Sequence, residues 1–270
     1  MLILNEAKYA EDVYNGLHAE VKNVVTKLGY VTRYFLHILQ QNDNDNYHNT
    51  VEWMRQHHTN FDESYYSNLI SDAIKKASKR PFYHIDGIKI TQSELDMISS
   101  LNNLRAEKML FVLLCMAKQQ SISNGFTNGL VKYSITELCK MARISVPAED
   151  REYILYNIVQ KGLLGYPKKN NTQCLIVNFV NDTDEPVLIL DEVDCQELAY
   201  VYLNWKNQGK GYTKCKKCNR LIKQSKNGIK KYCEACGVEI EMINKSARNA
   251  KYYASHKIKT ACFNNSYTTK

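Results

Sequence analysis

Apolar side chains in the first eighty residues recur at intervals of three and four, the repeat that lines one face of an α-helix. Ala7 to Gly16 is a short opening segment of this kind. Val21 to Gln41 places Val24, Val25, Leu28, Val31, Phe35, Leu36 and Leu39 close to one face, with Gly29 interrupting the repeat and leaving one helix or two. Gln41-Asn-Asp-Asn-Asp-Asn reads as a polar turn, and a short helix follows from His48 to His57. Asp62 is placed to cap a further helix, Glu63 to Lys79, which stops at Arg80-Pro81. The period then shortens. Phe82 to Ile90 alternates around Asp86-Gly87, the pattern of a β-hairpin, and Thr91-Gln-Ser-Glu94 is a capping box that opens another helix. Ser99 to Asn103 reads either as a domain boundary or as the interior of one continuous helix.

Beyond it the order of elements is more specific. Glu107 to Lys118 is a strongly apolar helix, and Ser134-Ile-Thr-Glu137 is a second capping box before a short helix, Thr136 to Ala142. After a turn at Arg143 to Pro147, a third helix runs from Ala148 to Lys161 and ends at Gly162-Leu-Leu-Gly165. Two extended segments follow, Leu164 to Pro167 and Gln173 to Val180, around Asn170-Asn171 with a basic tip at Lys168 and Lys169. Three helices and then a hairpin are the order of a winged helix-turn-helix. In that fold the third helix enters the major groove and the hairpin touches phosphates. Here the third helix opens Glu149-Asp150-Arg151-Glu152, which suits a helix N-terminus but repels phosphate. Arg151, with Tyr153, Asn157 and Gln160, is what remains to reach bases; a protein-docking or dimerisation face fits the same helix. Asn181 to Glu185 is an acidic loop that lacks EF-hand spacing and reads as solvated. Pro186 to Leu190 is a strand, Cys195 to Trp205 a helix, and Lys206 to Gly211 a connector.

The chemistry is concentrated after that connector. Cys215-Lys-Lys-Cys218 and Cys233-Glu-Ala-Cys236 are two CxxC pairs at the spacing of a four-thiolate Zn²⁺ site. No thioredoxin-like βαβ pattern surrounds them, which disfavours two redox pairs. Arg220 to Gln224 and Ile229 to Tyr232 read as strands joined at Asn227-Gly228. Val238 to Lys257 is a helix whose packing face is Val238, Ile240, Ile243, Ala247, Ala250 and Tyr253. Four protein ligands leave no position for water, so one structural zinc is expected rather than a catalytic one. The remaining cysteines, Cys115, Cys139, Cys174, Cys195 and Cys262, read as small core residues of a reduced compartment. His48, His57 and His58 read as surface histidines.

Charge sharpens the division. Residues 1–100 carry 10 Lys/Arg against 13 Asp/Glu, residues 101–205 carry 10 against 12, and residues 206–270 carry 16 against 3. The front segments are acidic and the tail is strongly cationic, the footprint of a nucleic-acid binder. A solubilising tail, or a surface for an acidic protein, would carry the same charge. Lys216, Lys217, Arg220, Lys223, Lys226, Lys230 and Lys231 surround the metal spacing, while Lys245, Arg248 and Lys251 form a stripe on the last helix. With Lys168, Lys169 and Arg151 they are the candidate nucleic-acid contacts. The chain has no P-loop, dinucleotide-binding glycine pattern, GxSxG or HExxH, and its cysteine module lacks a nuclease histidine between residues 211 and 255, so an enzyme is not expected. No run is long and apolar enough for a membrane span, so a cytoplasmic protein is expected.

The tail, with its Cys-x2-Cys, basic hairpin, Tyr-Cys-x2-Cys and basic helix, resembles the small zinc-ribbon or treble-clef modules common in bacteriophage and mobile-element proteins. The Ile-Leu-Asn-Glu opening and the Tyr-His-Ile-Asp-Gly segment look similar to uncharacterised phage proteins of low-GC Gram-positive hosts. The resemblance implies metal binding at the four cysteines and a role in phage transcription or replication. The reading is therefore a mainly α chain with small β-hairpins in three parts. These are a helical N-terminal domain over 1–100, a winged-helix-like domain over 101–206, and a basic zinc module over 207–270. Its partner is nucleic acid, DNA favoured over RNA. The alternative is an adaptor or inhibitor whose acidic winged-helix surface binds a host protein such as RNA polymerase or a defence protein.

Overall fold

The computed structural model describes residues 2–17, 23–125, 129–168, 174–225 and 228–265, with residue 124 and those from 253 onward as backbone only. The fold is mainly helical with small antiparallel sheets, and the chain divides into two compact units, residues 1–196 and 197–270. No helix among the described residues is long and apolar enough to cross a membrane.

The first unit opens with four helices, α1 (Glu6–Tyr14), α2 (Val24–His37), α3 (Asp43–His57) and α4 (Glu63–Ala77). Their apolar faces meet in a core that includes Leu28, Val31, Phe35, Val51, Trp53, Met54, Ile70 and Ile74. Asp62 caps α4 as its position predicts, accepting from the backbone N–H groups of Ser64 and Tyr65. One open alternative is resolved and one expectation is corrected. Gly29 does not break α2, which runs through it. The polar cluster after Gln41 is not a turn but the start of α3: Asn42 is the N-cap, accepting from Asp45 N at 2.9 Å, and Asp43 and Asp45 sit at the positive end of the helix dipole. The predicted start of α2 at Val21 lies outside the described residues.

β1 (Ile88–Thr91) is not half of a local hairpin. It pairs antiparallel with β5 (Pro186–Leu190), with Ile88 opposite Leu190 and Ile90 opposite Leu188, across the position where the sequence put its first boundary. The Asp86-Gly87 signal has a different cause. A Cβ on Gly87 would lie 2.8 Å from Ile189 Cγ2 and 3.1 Å from Leu190 O, so glycine admits the distant strand rather than forming a tight turn. The capping box does form: Thr91 opens α5 (Gln92–Ser99) with both reciprocal bonds present. Asn102, with a φ of 50°, and Asn103, the next N-cap, separate α5 from α6 (Leu104–Asn124).

α6 is the axis of the remainder, with every side chain from Met109 to Ala117 buried. After it come β2 (Leu130–Lys132), α7 (Ile135–Met141), α8 (Ala148–Gln160), β3 (Leu164–Gly165) and β4 (Cys174–Val177). The sheet order is β2-β4-β3, all antiparallel, and β2 was absent from the sequence expectation. The second capping box does not form, because Ser134 makes no side-chain bond at the start of α7. Asn170-Asn171 lies outside the described residues. Cys115, Cys139, Cys174 and Cys195 are buried, as their apolar contexts predict. The second unit holds α9 (Leu198–Lys206), β6 (Tyr212–Lys214), β7 (Leu221–Lys223) and α10 (Glu234–Asn265).

Candidate metal centre

The first CxxC is the loop of a hairpin. β6 and β7 pair with Tyr212 opposite Lys223, Thr213 opposite Ile222 and Lys214 opposite Leu221, so Cys215 to Cys218 fall where the chain reverses. Cys215 N donates to Arg220 O at 2.8 Å and Asn219 N to Cys215 O at 3.0 Å. Asn219 turns the chain at a φ of 63°, a conformation asparagine tolerates better than most residues. The predicted pairing of Arg220–Gln224 with Ile229–Tyr232 is therefore corrected: β7 takes the strand before the cysteines, and 229–232 is not a strand. A side chain substitutes for that ladder. The Gln224 amide accepts from Lys230 N at 2.7 Å, donates to Lys230 O at 3.1 Å, and also donates to Thr213 Oγ1. Ser225 and Gly228 form an isolated bridge around the predicted turn, whose Asn227 lies outside the described residues. The β-prone flanks Tyr212-Thr-Lys and Leu221-Ile-Lys were the signal for the true pairing.

The second pair arrives at a helix N-terminus. Lys216 N donates to Lys231 O at 3.0 Å and brings the incoming chain beside the first loop. Cys233 immediately precedes α10 and Cys236 lies in its first turn, with Gly237 N donating to Cys233 O at 2.8 Å. All four Sγ atoms lie within 4.8 Å of one another, and Cys218 Sγ is 3.6 Å from Cys233 Sγ. A tetrahedral ion with metal–sulfur bonds of about 2.3 Å needs sulfur separations of about 3.8 Å. The four thiols fit such an ion. Cys215 and Cys236 are buried, with Ile222 and Tyr232 packed against them.

Electrostatics favours a cation at the centre. Burial pushes the Cys215 thiol up, but N–H groups of Cys218, Cys233 and Lys217 outweigh it and bring it down to about 6. Cys236 is pushed up to about 12, first by burial and then by hydrogen bonds with its neighbouring thiols, and Cys218 is raised by burial. One thiolate here makes the next harder to form unless a cation joins them.

The candidate cations spread around the cluster. Lys216, Lys223, Lys230 and Lys231 are exposed, Arg220 is half-buried, and Lys217 is paired with Glu239. Lys245, Arg248 and Lys251 are exposed on α10, where Arg248 Nε also donates to Asn244 O at 3.3 Å. Lys226 and Lys169 lie outside the described residues, and Lys168 is exposed. Arg151 is less free than its position in the sequence implied: it is half-buried, and its Nε donates to Val146 O at 3.2 Å. Of the predicted packing face of α10, Val238, Ile243, Ala247 and Ala250 are exposed and Ile240 is half-buried, while the Tyr253 side chain lies outside the described residues.

Among the described residues, no histidine or acidic cluster joins a second metal-ligating group. His57 stacks on Trp53 at 4.6 Å, and His58 is 3.3 Å from the Tyr66 hydroxyl. The loop at Asn181 is tied down rather than simply solvated. Lys118, 5 % exposed, bonds Glu94 at 2.9 Å, Asp182 at 2.8 Å and Asn181 O at 2.8 Å, while Asn181 N donates to Glu94 at 2.8 Å. That buried pair went unpredicted, because nothing local marks Lys118 as the partner of a capping glutamate.

Compared with protein-family models, curated proteins and solved structures, the chain matches none.

Proposed function

We propose that the chain is a zinc-containing, non-enzymatic nucleic-acid-binding protein, duplex DNA favoured over RNA, that regulates transcription or replication of a phage or related element in the host cytoplasm. The observation that carries this reading is the gathering of exposed lysines on a four-thiolate centre whose outgoing helix bears a cationic stripe. A hairpin knuckle followed by two cysteines at a helix N-terminus is the arrangement of a treble clef, and closed tetrahedral thiolate coordination suits Zn²⁺. Lys216, Lys223, Lys230 and Lys231 on the rigid part, with Lys245, Arg248 and Lys251 on α10, supply enough cations for the phosphate contacts that dominate such binding. The middle of the chain supports the same class. The order α6-β2-α7-α8-β3-β4, with sheet order β2-β4-β3, supports the winged-helix reading with α8 taken as its third helix.

One observation favours a second reading for that part. The outer face of α8 presents Glu149, Asp150 and Glu152 beside Tyr153 and Tyr156, which are 64 % and 53 % exposed. Acid and tyrosine suit a protein partner better than a phosphate backbone. On this reading the chain is an adaptor or inhibitor docking on a host protein through α8.

Duplex-DNA binding across a salt titration separates the two. The full chain is expected to bind with a steep salt dependence, and Arg248→Glu with Lys251→Glu should lower affinity by about tenfold or more and flatten the slope by about two. Absence of DNA binding by the unaltered chain would leave the protein-docking reading.

A further inference from the structure

A cavity of about 300 Å³ lies between α2 and α4, far in sequence from the cysteines and unused by the proposed function. Its size is at the lower end for small-ligand pockets. Its wall is apolar and accessible: Val25 and Leu69 are 55 % and 37 % exposed, with Ala73 and Ala77 beside them.

Gly29 lines the cavity too. Glycine inside a helix is destabilising relative to alanine, and here no backbone reason requires it. Its φ is not positive, and a Cβ built on it would meet nothing within 4 Å. Any larger side chain at this position would project into the cavity. What glycine does here is keep the space open.

The polar end is built around Arg33, whose side chain is 7 % exposed. Its Nε donates to Gly29 O at 3.0 Å and its Nη2 to Glu6 Oε1 at 2.6 Å. Its Nη1 and Glu6 Oε2 are closed off from solvent without a hydrogen-bond partner, and the guanidinium lies over the Tyr30 and Phe82 rings, 5.2 and 4.7 Å from their centroids. Arg33 is thus held in place from the protein side and lends its charge to the cavity wall. Arg80 and Lys76 also line the cavity, against Asp72 as the one acid among the described lining residues, and Arg80 Nη2 is 3.7 Å from the same Glu6 oxygen. Glu6 is thus shared by two arginines, and the cavity retains an excess of positive charge.

We infer that the cavity between α2 and α4 binds a small organic anion, its apolar body against Val25, Leu69 and Ala73 and its carboxylate or phosphate head at Arg80 and Lys76. Three independent features converge on this: an apolar cleft, an unrequired glycine that holds it open, and exposed cationic side chains, Arg80 and Lys76, at one end.

The test is a fluorescence titration of the full chain with anilinonaphthalene sulfonate, an aromatic anion of suitable size. One saturable site is expected. Gly29→Leu should weaken it by about tenfold or more, while the melting temperature stays equal to or above that of the unaltered chain, because leucine is the better helix former. That control matters, since a partly unfolded variant would bind more dye. Arg80→Gln with Lys76→Gln should weaken the sulfonate several-fold and leave neutral phenyl-naphthylamine unchanged. Non-saturable binding, or equal sulfonate affinity in a stable Gly29→Leu protein, would overturn the inference.

Discussion

The two longest helices described, α6 and α10, both carry apolar residues at helical spacing, α6 on every side and α10 along one stripe, and they meet opposite fates. α6 buries nine consecutive residues, Met109 to Ala117, whereas α10 has every residue from 241 to 252 exposed. A repeat of 3.6 residues states which side chains share a face; it does not state what lies against that face. The difference extends to the units they belong to. The first is held by apolar cores, while the second, beyond the buried Leu198, Ala199, Val201 and Tyr202 of α9, gathers only Cys215, Ile222 and Cys236 among its described residues, with Cys218, Tyr232 and Cys233 packed around them. So small an apolar cluster does not sustain that part of the unit by itself, and a metal at the four thiols would stand in for a core there.

Disrupting the proposed metal site is the strongest way to break that contrast. Structural zinc sites contribute on the order of 10 kcal/mol or more to folding. Cys233→Ser, or chelation of the unaltered chain, should abolish hydrogen-exchange protection over 212–252 while α6 keeps its own. Loss of protection in α6 would show that both units unfold in one transition.

The reverse experiment acts on the apolar unit. Phe111→Ala removes a fully buried ring and should cost about 3–5 kcal/mol in a urea titration. With Co²⁺ at the cysteines, the thiolate charge-transfer spectrum should not move. A spectral change would couple the two units.

Within the first unit, the Glu94–Lys118 pair tests whether buried charge or apolar burial is the more sensitive element. Glu94→Gln leaves Lys118, 5 % exposed, with Asp182 alone as its counter-charge. Breaking a buried pair by neutralising one member costs roughly 3 kcal/mol, which should appear as a lower urea midpoint with unchanged slope. A loss below about 1 kcal/mol would mean that the pair behaves as a surface ion pair.

Local signals were legible where a residue's partner is a sequence neighbour. The Asp62 cap, the Thr91 capping box, the four-thiolate spacing and the apolar helix at Glu107–Lys118 all depend on contacts within a few residues. Pairing across long separations was not legible. Asp86-Gly87 and Asn227-Gly228 both resemble hairpin turns, yet β1 pairs with a strand about a hundred residues away and β7 pairs with the strand before the cysteines. In each case the true partner is as β-prone as the imagined one, and tertiary packing decides between them. The acidic start of α3 was misread for another reason. Asn and Asp favour turns and N-caps alike, and only the chain beyond them distinguishes the two.

The smallest effect sharpens the lesson most. Thr91-Gln-Ser-Glu94 and Ser134-Ile-Thr-Glu137 are the same motif, and only the first closes. The Glu94 carboxylate is buried and fixed by Lys118 and Asn181 N, so it is already positioned to accept from Thr91 N at 2.9 Å. Glu137 is exposed, and no comparable cap bond is made at Ser134. A capping box in this protein is thus completed by what holds its glutamate from outside the helix. Thr91→Ala should therefore cost about 1 kcal/mol, and Ser134→Ala should stay within about 0.5 kcal/mol of zero, both read from urea midpoints. In the Glu94→Gln background the Thr91 effect should shrink, since the reciprocal bond has lost its charged acceptor. Equal costs at Thr91 and Ser134 would instead make both caps purely local, with the tertiary anchor irrelevant to either.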